Sequence, residues 1–291
     1  MEYVTTKYQI GPFRFSIEKP KEMPIPANMS LFERKDITPV HTYKLRLVDA
    51  VSVDEDQFLL DKNNMKIYVD DTQHKRYLFL QGDDRPYALC HKQINKHETD
   101  IDVDVHYLHM FSIDTIFGST LSLEKRLFRY NSFVLHSAYL CHDGEAILFT
   151  APSGGGKSTQ AALWEQYRGA RVINGDRSLL MKQDGIYHAY GWPICGSSGI
   201  CHNEHYPIKS IVSVQKGQNN SIKKMDYKSS YKKIISELTI NYHAPEFVNT
   251  ALDFIDDLVR NVAMYELTCD ISEEAVRCLA EQLTEPKEKT Q

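Results

Sequence analysis

Apolar and polar residues alternate with a period of two through much of the first 120 positions. Tyr43, Leu45 and Leu47 fall on one side of an extended chain, with Lys44 and Arg46 on the other. Ile101, Val103, Val105 and Tyr107 repeat the pattern against Asp102, Asp104 and His106. That period belongs to strands with one buried face. Shorter runs at 13–17, 65–69 and 77–80 are separated by turn-forming clusters such as Asp61-Lys-Asn-Asn and Gly82-Asp-Asp. This half therefore reads as an antiparallel β module with solvated acidic turns at 54–56 and 83–84, followed by a short helix at 120–128.

Beyond residue 130 the pattern changes. Residues 132–140 and 145–150 read as two strands joined by the turn Cys141-His-Asp-Gly, a hairpin signal. A glycine-rich segment follows, then a helix over Gln160–Tyr167 closed by Gly169, then strands at 171–174, 178–182, 186–190 and 208–214. Helical spacing recurs at Tyr231, Ile234, Ile235 and Leu238, at Val248, Leu252, Ile255 and Val259, and at Val276, Leu279, Ala280 and Leu283. Asp270-x-x-Glu273 before the last stripe resembles a capping box, a strand over 264–269 precedes it, and the polar segment from Glu285 is expected to fray. With 291 residues the chain has room for two domains, and the pattern predicts an α+β protein. A β-rich domain spans 1–129, for substrate recognition or assembly, and a domain of mixed sheet and C-terminal helices spans 130–291.

Composition narrows the class. Lys and Arg total 34 against 39 Asp and Glu, a net charge of −5, which argues against a nucleic-acid binder. No run of about 18 apolar residues is present to span a bilayer. The opening MEYVTTKYQIGPF lacks a basic stretch followed by an apolar run, so no secretion signal is expected. The six cysteines are dispersed, and reduced thiols in a cytoplasmic protein are the expectation.

Ser153-Gly154-Gly155-Gly156-Lys157-Ser158-Thr159 carries the most specific chemistry. Consecutive glycines let backbone N–H groups curl around phosphate, and the following helix adds the positive end of its dipole. Lys157 would reach the β- and γ-phosphates and Ser158 would ligate Mg²⁺, so the segment predicts a nucleoside triphosphate site for ATP and Mg²⁺. Ala151 stands where such loops usually begin with glycine.

A P-loop set after a hairpin and followed by short strands and terminal helices resembles the HPr kinase/phosphorylase and phosphoenolpyruvate carboxykinase superfamily. The resemblance spans about 130–283 and is carried by Leu135-His136-Ser137, Ser153–Thr159, Ile173-Asn174-Gly175-Asp176, Gly191-Trp-Pro-Ile-Cys-Gly196-Ser-Ser and the strand at 207–215. It is nearest to small HPr-kinase-like proteins. It implies a P-loop domain and an ATP- and Mg²⁺-dependent transfer of the γ-phosphate to a hydroxyl, a serine of a protein or peptide. Asp176 would bind Mg²⁺ or accept the hydroxyl proton, with Ser158 as the other metal ligand, and His136 would position the nucleophile. The family has two adjacent acids where this chain has Gly175-Asp176, and that departure favours an alternative, a nucleotide-binding sensor or partner subunit without transfer.

Several residues keep two readings. Arg177 either stabilises transferred charge or forms an ordinary ion pair, and Gly196, Ser197 and Ser198 either line the site or make a plain turn. Cys195, Cys201, His202 and His205 suggest zinc, or packed thiols and loop histidines. The lysines at 209, 216, 223, 224, 228, 232 and 233 either steer an acidic partner or coat a solvated face. A homo-oligomer is also compatible with the sequence.

Overall fold

The computed structural model describes residues 2–55, 57–93 and 97–284. Asp56 of the first acidic turn and the predicted frayed segment from Glu285 lie outside these. The chain divides into two units, Met1–Arg126 and Leu127–Gln291.

Among the described residues of the first unit, eight strands form one sheet: β1 (Tyr3–Ile10), β2 (Phe13–Pro20), β3 (His41–Val48), β4 (Leu60–Lys62), β5 (Met65–Val69), β6 (Gln73–Phe79), β7 (Pro86–Gln93) and β8 (Glu98–Asp104). Their order is β1-β2-β3-β8-β7-β6-β5-β4. The expected alternation is present, with Tyr43, Leu45, Ile101 and Val103 buried. The expectation of a wholly antiparallel module is not met, because β3 runs parallel to both β2 and β8. The connection from β2 to β3 returns to the starting end through a 3-10 turn at Ala27–Phe32 that buries Met29 and Phe32, which a tight hairpin could not do.

Val105 and Tyr107 also leave the expected strand. The Asp104 carboxylate accepts the His106 N–H at 3.0 Å and opens a 3-10 segment, Val105–Ser112, in place of the ladder. The single helix expected at 120–128 is two, α1 (Asp114–Leu121) and α2 (Glu124–Leu127), separated by Ser122 in the left-handed region at φ 47°.

In the second unit the expected first strand breaks at Ser137 into β9 (Ser132–His136) and β10 (Ala138–His142). β10 forms the hairpin with β11 (Glu145–Thr150), and the turn centres on Asp143 (φ 50°) and Gly144 (φ 75°), one residue later than expected. Two positive φ values in succession are what a two-residue hairpin loop requires. The chain continues through α3 (Lys157–Arg168), β12 (Arg171–Asn174), β13 (Arg177–Gln183), β14 (Ile186–Tyr190), β15 (His205–Lys216), β16 (Ser221–Lys224), α4 (Tyr227–Glu237), α5 (Pro245–Asn261), β17 (Ala263–Cys269) and α6 (Glu273–Thr284). The sheet order is β12-β10-β11-β15-β14-β13-β9, with β17 also on β15 and β16 on β17. It is mixed, since β15 runs parallel to β11 and β17 and antiparallel to β14.

Both faces of this sheet are covered, which explains the apolar runs at 146–149 and 211–212. Leu148 and Ile211 point into a core filled by Phe247, Phe254 and Leu258 of α5 and Ile234 of α4. Ile147, Phe149 and Val212 point the other way, against Leu163 and Trp164 of α3 and Val276 and Leu279 of α6. Phe254 meets Phe133 at 4.7 Å and Tyr187 at 5.5 Å between ring centroids. Phe254→Ala is expected to destabilise this unit by about 3–5 kcal/mol, read as a lowered urea midpoint.

Candidate functional site

The loop between β11 and α3 is shaped by its glycines. Gly154 (φ 74°) and Gly156 (φ 100°) take left-handed conformations that other residues rarely adopt. The Gly155 N–H closes a turn on the Pro152 carbonyl at 2.9 Å, and a Cβ there would lie 2.6 Å from that of Ala151. Helix α3 starts at Lys157, three residues earlier than the apolar pattern predicts, because Gly156 provides the turn into it. Gly156 has no side chain to cap it, so the start of α3 has no side-chain cap and its first N–H groups have no intrahelical partner. Ser153, Gly154, Ser158 and Thr159 are exposed. Lys157 is buried and donates from Nζ to the Ala151 carbonyl at 2.9 Å. Burial lowers the pKa of its ammonium, against the opposing pull of Asp176 and Glu237.

Asp176 sits in the turn between β12 and β13, held by Asn174. The fully buried Asn174 accepts the N–H groups of Asp176 and Arg177 on Oδ1, both at 2.9 Å. Its Nδ2 donates to the carbonyls of Trp192 at 2.8 Å and Ile194 at 3.2 Å. Ser137, the residue that breaks the β9–β10 strand, donates its N–H to the Asp176 carbonyl at 3.0 Å. Ser158 Oγ donates to the Gly175 carbonyl at 3.1 Å, which joins the start of α3 to the same turn.

The segment Gly196–Ser198 packs on this turn, although Ser197 is exposed. Gly196 (φ 54°) lies against Asp176, where a Cβ would come within 3.4 Å of the carboxyl carbon. Ser198 covers Gly175 so closely that any side chain at 175 would overlap it. A second acid beside Asp176 therefore has no room.

A second carboxylate arrives from elsewhere. His136, at the end of β9, places Nε2 3.4 Å from Asp176 Oδ1 and Nδ1 3.2 Å from Glu237 Oε2. Glu237 lies 101 residues further along the chain. Helix α4 ends at Glu237 because Leu238, expected inside it, leaves to bridge Leu135, and the Thr239 N–H donates to the Val134 carbonyl at 2.8 Å. Lys233, one turn earlier, pairs with Glu237 at 2.9 Å. Arg177 Nε lies 3.2 Å from Asp176 Oδ2 and its Nη1 3.4 Å from Thr239 Oγ1. Lys233, Glu237, His136, Asp176 and Arg177 thus form a row of polar contacts beside the glycine loop. The Asp176 carboxyl is held below the ordinary aspartate value, first by the His136 hydrogen bond and then by Arg177 and Lys157, against the opposite effect of burial.

Ser158 and Asp176 offer two oxygen donors, and Mg²⁺ commonly takes one or two protein ligands beside phosphate and water, so the residues fit that ion. Among the described residues no group of three or more His, Cys, Asp or Glu side chains is arranged to hold a metal. Cys201 donates to the Trp192 carbonyl at 3.3 Å, His202 contacts Arg171 at 3.4 Å, and His205 stacks on Tyr190 at 4.7 Å. Cys195 is buried. Of the lysine-rich stretch, Lys209 pairs with Glu145 at 2.9 Å and Lys233 with Glu237, while 216, 223, 224, 228 and 232 are exposed.

No family model matches the chain, and none of the curated proteins does. Among solved structures, that of the Hpr(Ser) kinase/phosphatase from Coxiella burnetii aligns over 52% of this chain and 92% of its own, at 14% identity and a TM-score of 0.31. The relationship is distant, and a likeness at that score carries no argument for a shared reaction.

Two outcomes follow from the geometry. Gly175→Asp is expected to cost about 1–3 kcal/mol by overpacking, part of it recovered by Ser198→Gly in the double variant. Because the folded Asp176 carboxyl ionises below its free value of 3.8, the stability it confers is whole above about pH 4 and is lost as the pH falls through the folded value. Urea midpoints of wild type and Asp176→Asn should differ at pH 6 and converge below that window.

Proposed function

We propose that the unit after residue 126 binds ATP with Mg²⁺ on the loop Ser153–Thr159 and transfers the terminal phosphoryl group to a hydroxyl, a serine of a protein or peptide. The observation that carries this reading is the convergence of Lys157, Asp176, His136 and Glu237 at the uncapped start of α3. When bound, ATP with Mg²⁺ supplies the transferable phosphoryl group and screens its charge. Lys157 exchanges the Ala151 carbonyl for a phosphate oxygen, a stronger partner for a buried ammonium. Backbone N–H groups of Gly154, Gly156, Lys157 and Ser158 hold the phosphates. Ser158 and Asp176 hold the metal.

As the alternative to holding the metal, Asp176, kept below its ordinary value by His136 and Arg177, orients the acceptor hydroxyl or takes its proton. His136 positions Asp176, and Glu237 in turn holds the imidazole. The β-rich unit serves acceptor recognition or assembly, including a homo-oligomer, and the six free cysteines suit a cytoplasmic setting.

One observation favours a second reading, nucleotide binding without transfer: Asp176 has Oδ1 facing His136 and Oδ2 facing Arg177, so neither oxygen is idle. Incubation with γ-labelled ATP and candidate acceptors separates the two. Lys157→Ala should lose both binding and transfer, whereas Asp176→Asn should keep binding and lose transfer by about 100-fold or more. Glu237→Gln should lower kcat with little change in the KM for ATP. Nucleotide binding with no transfer to any acceptor would sink the kinase reading and leave the sensor.

A further inference from the structure

The first unit contains a cavity of about 50 Å³ whose lining, among the described residues, holds basic groups and no acid. Five of them, His74, Arg76, Lys92, Lys125 and Arg126, come from two neighbouring strands and the segment that covers them. In the β6–β7 ladder His74 pairs with Lys92 and Arg76 with Cys90, so strand alternation sets all four side chains on one face. Lys125 and Arg126 of α2 close over that face. The opposite face is neutralised: Lys75 and Tyr77, the alternate residues of β6, both bond to Glu55.

Burying cations is costly, and the cost shows at Lys125 and His74, whose pKa values burial lowers. Arg76 is only 5% exposed, and the hydrogen bond from its Nη2 goes to a neutral carbonyl, that of Thr120, at 2.7 Å. Among the described residues, Lys125 Nζ is buried with no hydrogen-bond partner. Arg126 reaches the Thr99 hydroxyl at 3.2 Å. Burial, reinforced by Arg76, pushes the Lys125 ammonium down to about 8, and burial with Lys125 and Arg76 pushes His74 down to about 3. Glu124 attracts Lys125 and Arg76 but does not line the cavity.

We propose that this cavity is a binding site for a phosphoryl group, as free phosphate or a small phosphomonoester. A single buried water needs about 10–15 Å³, so the space has room for one tetrahedral oxyanion. A doubly charged oxyanion supplies several acceptors at once, which matches converging guanidinium and ammonium donors better than a lone halide does. Every described residue lining it belongs to the unit Met1–Arg126, and none is part of the glycine loop. The proposal does not depend on the function of the other unit.

The test uses the full chain carrying Lys157→Ala, so that phosphate binding at the glycine loop is suppressed. Thermal unfolding and calorimetric titration are run with sodium phosphate, phosphoserine and sodium chloride at matched ionic strength. Phosphate or phosphoserine should raise the unfolding temperature and chloride should not. Lys125→Met should weaken the affinity roughly 30-fold, and Lys92→Gln on the neighbouring strand should weaken it in the same direction. Without anion, Lys125→Met should unfold at a higher temperature than its parent, since it removes an unpaired buried ammonium. Tighter binding of phosphoserine assigns the site to a monoester, and tighter binding of phosphate assigns it to the free ion. A response equal to that of chloride, or one undiminished in both variants, overturns the proposal.

Discussion

One buried amide organises the second unit. Asn174 uses both ends of its side chain, receiving two backbone N–H groups of the Asp176 turn and donating to two carbonyls of the segment at 192–194. No apolar residue could replace it without leaving those groups unsatisfied in a region closed to water. Asp176 therefore has a defined place before any partner arrives. Ser137 and Ser158 then attach the neighbouring strand and helix to the same turn, so that β9, the start of α3 and the 196–198 segment share one anchor.

The second carboxylate depends on a different constraint, the point at which a helix stops. Helix α4 carries Ile234 into the core and would continue through Leu238 if packing alone decided its length. Leu238 instead joins strand β9 beside Leu135, and the preceding residue is thereby delivered to His136. Packing and polar chemistry are coupled there, because the hydrophobic seating of α4 determines where a carboxylate meets the imidazole.

Much of this was legible from the residues. The alternation at 43–47 and 101–103, the existence of the hairpin near 141–144 (its turn one residue later than read), the amphipathic helices and the glycine loop all rest on local rules that act within a few positions. What was hidden depends on partners distant in sequence. Glu237 with Lys233 is an ordinary i,i+4 pair on paper, indistinguishable from a solvated helix face. Its meaning comes from His136, 101 residues earlier. The parallel placement of β3 between β2 and β8 likewise follows from how long connections pack. Strand β6 was foreseen only from Tyr77 because its first half is polar. Those residues are held in the sheet by their pairing with β5 and β7, with Lys75 bonded to Glu55 on one face and His74 and Arg76 lining the cavity on the other.

The parallel neighbours of β15 have a bearing on the order of events during synthesis. The β10–β11 hairpin is local and can form as soon as its residues emerge, but β11 gains its other neighbour only when residues 205–216 have followed. Until then one edge of β11, with the glycine loop at its end, is unpaired and apolar. Non-local parallel pairing is slow and leaves such edges open to the wrong strand. The same central strand that seats the loop in the finished protein is thus the step on which its folding waits.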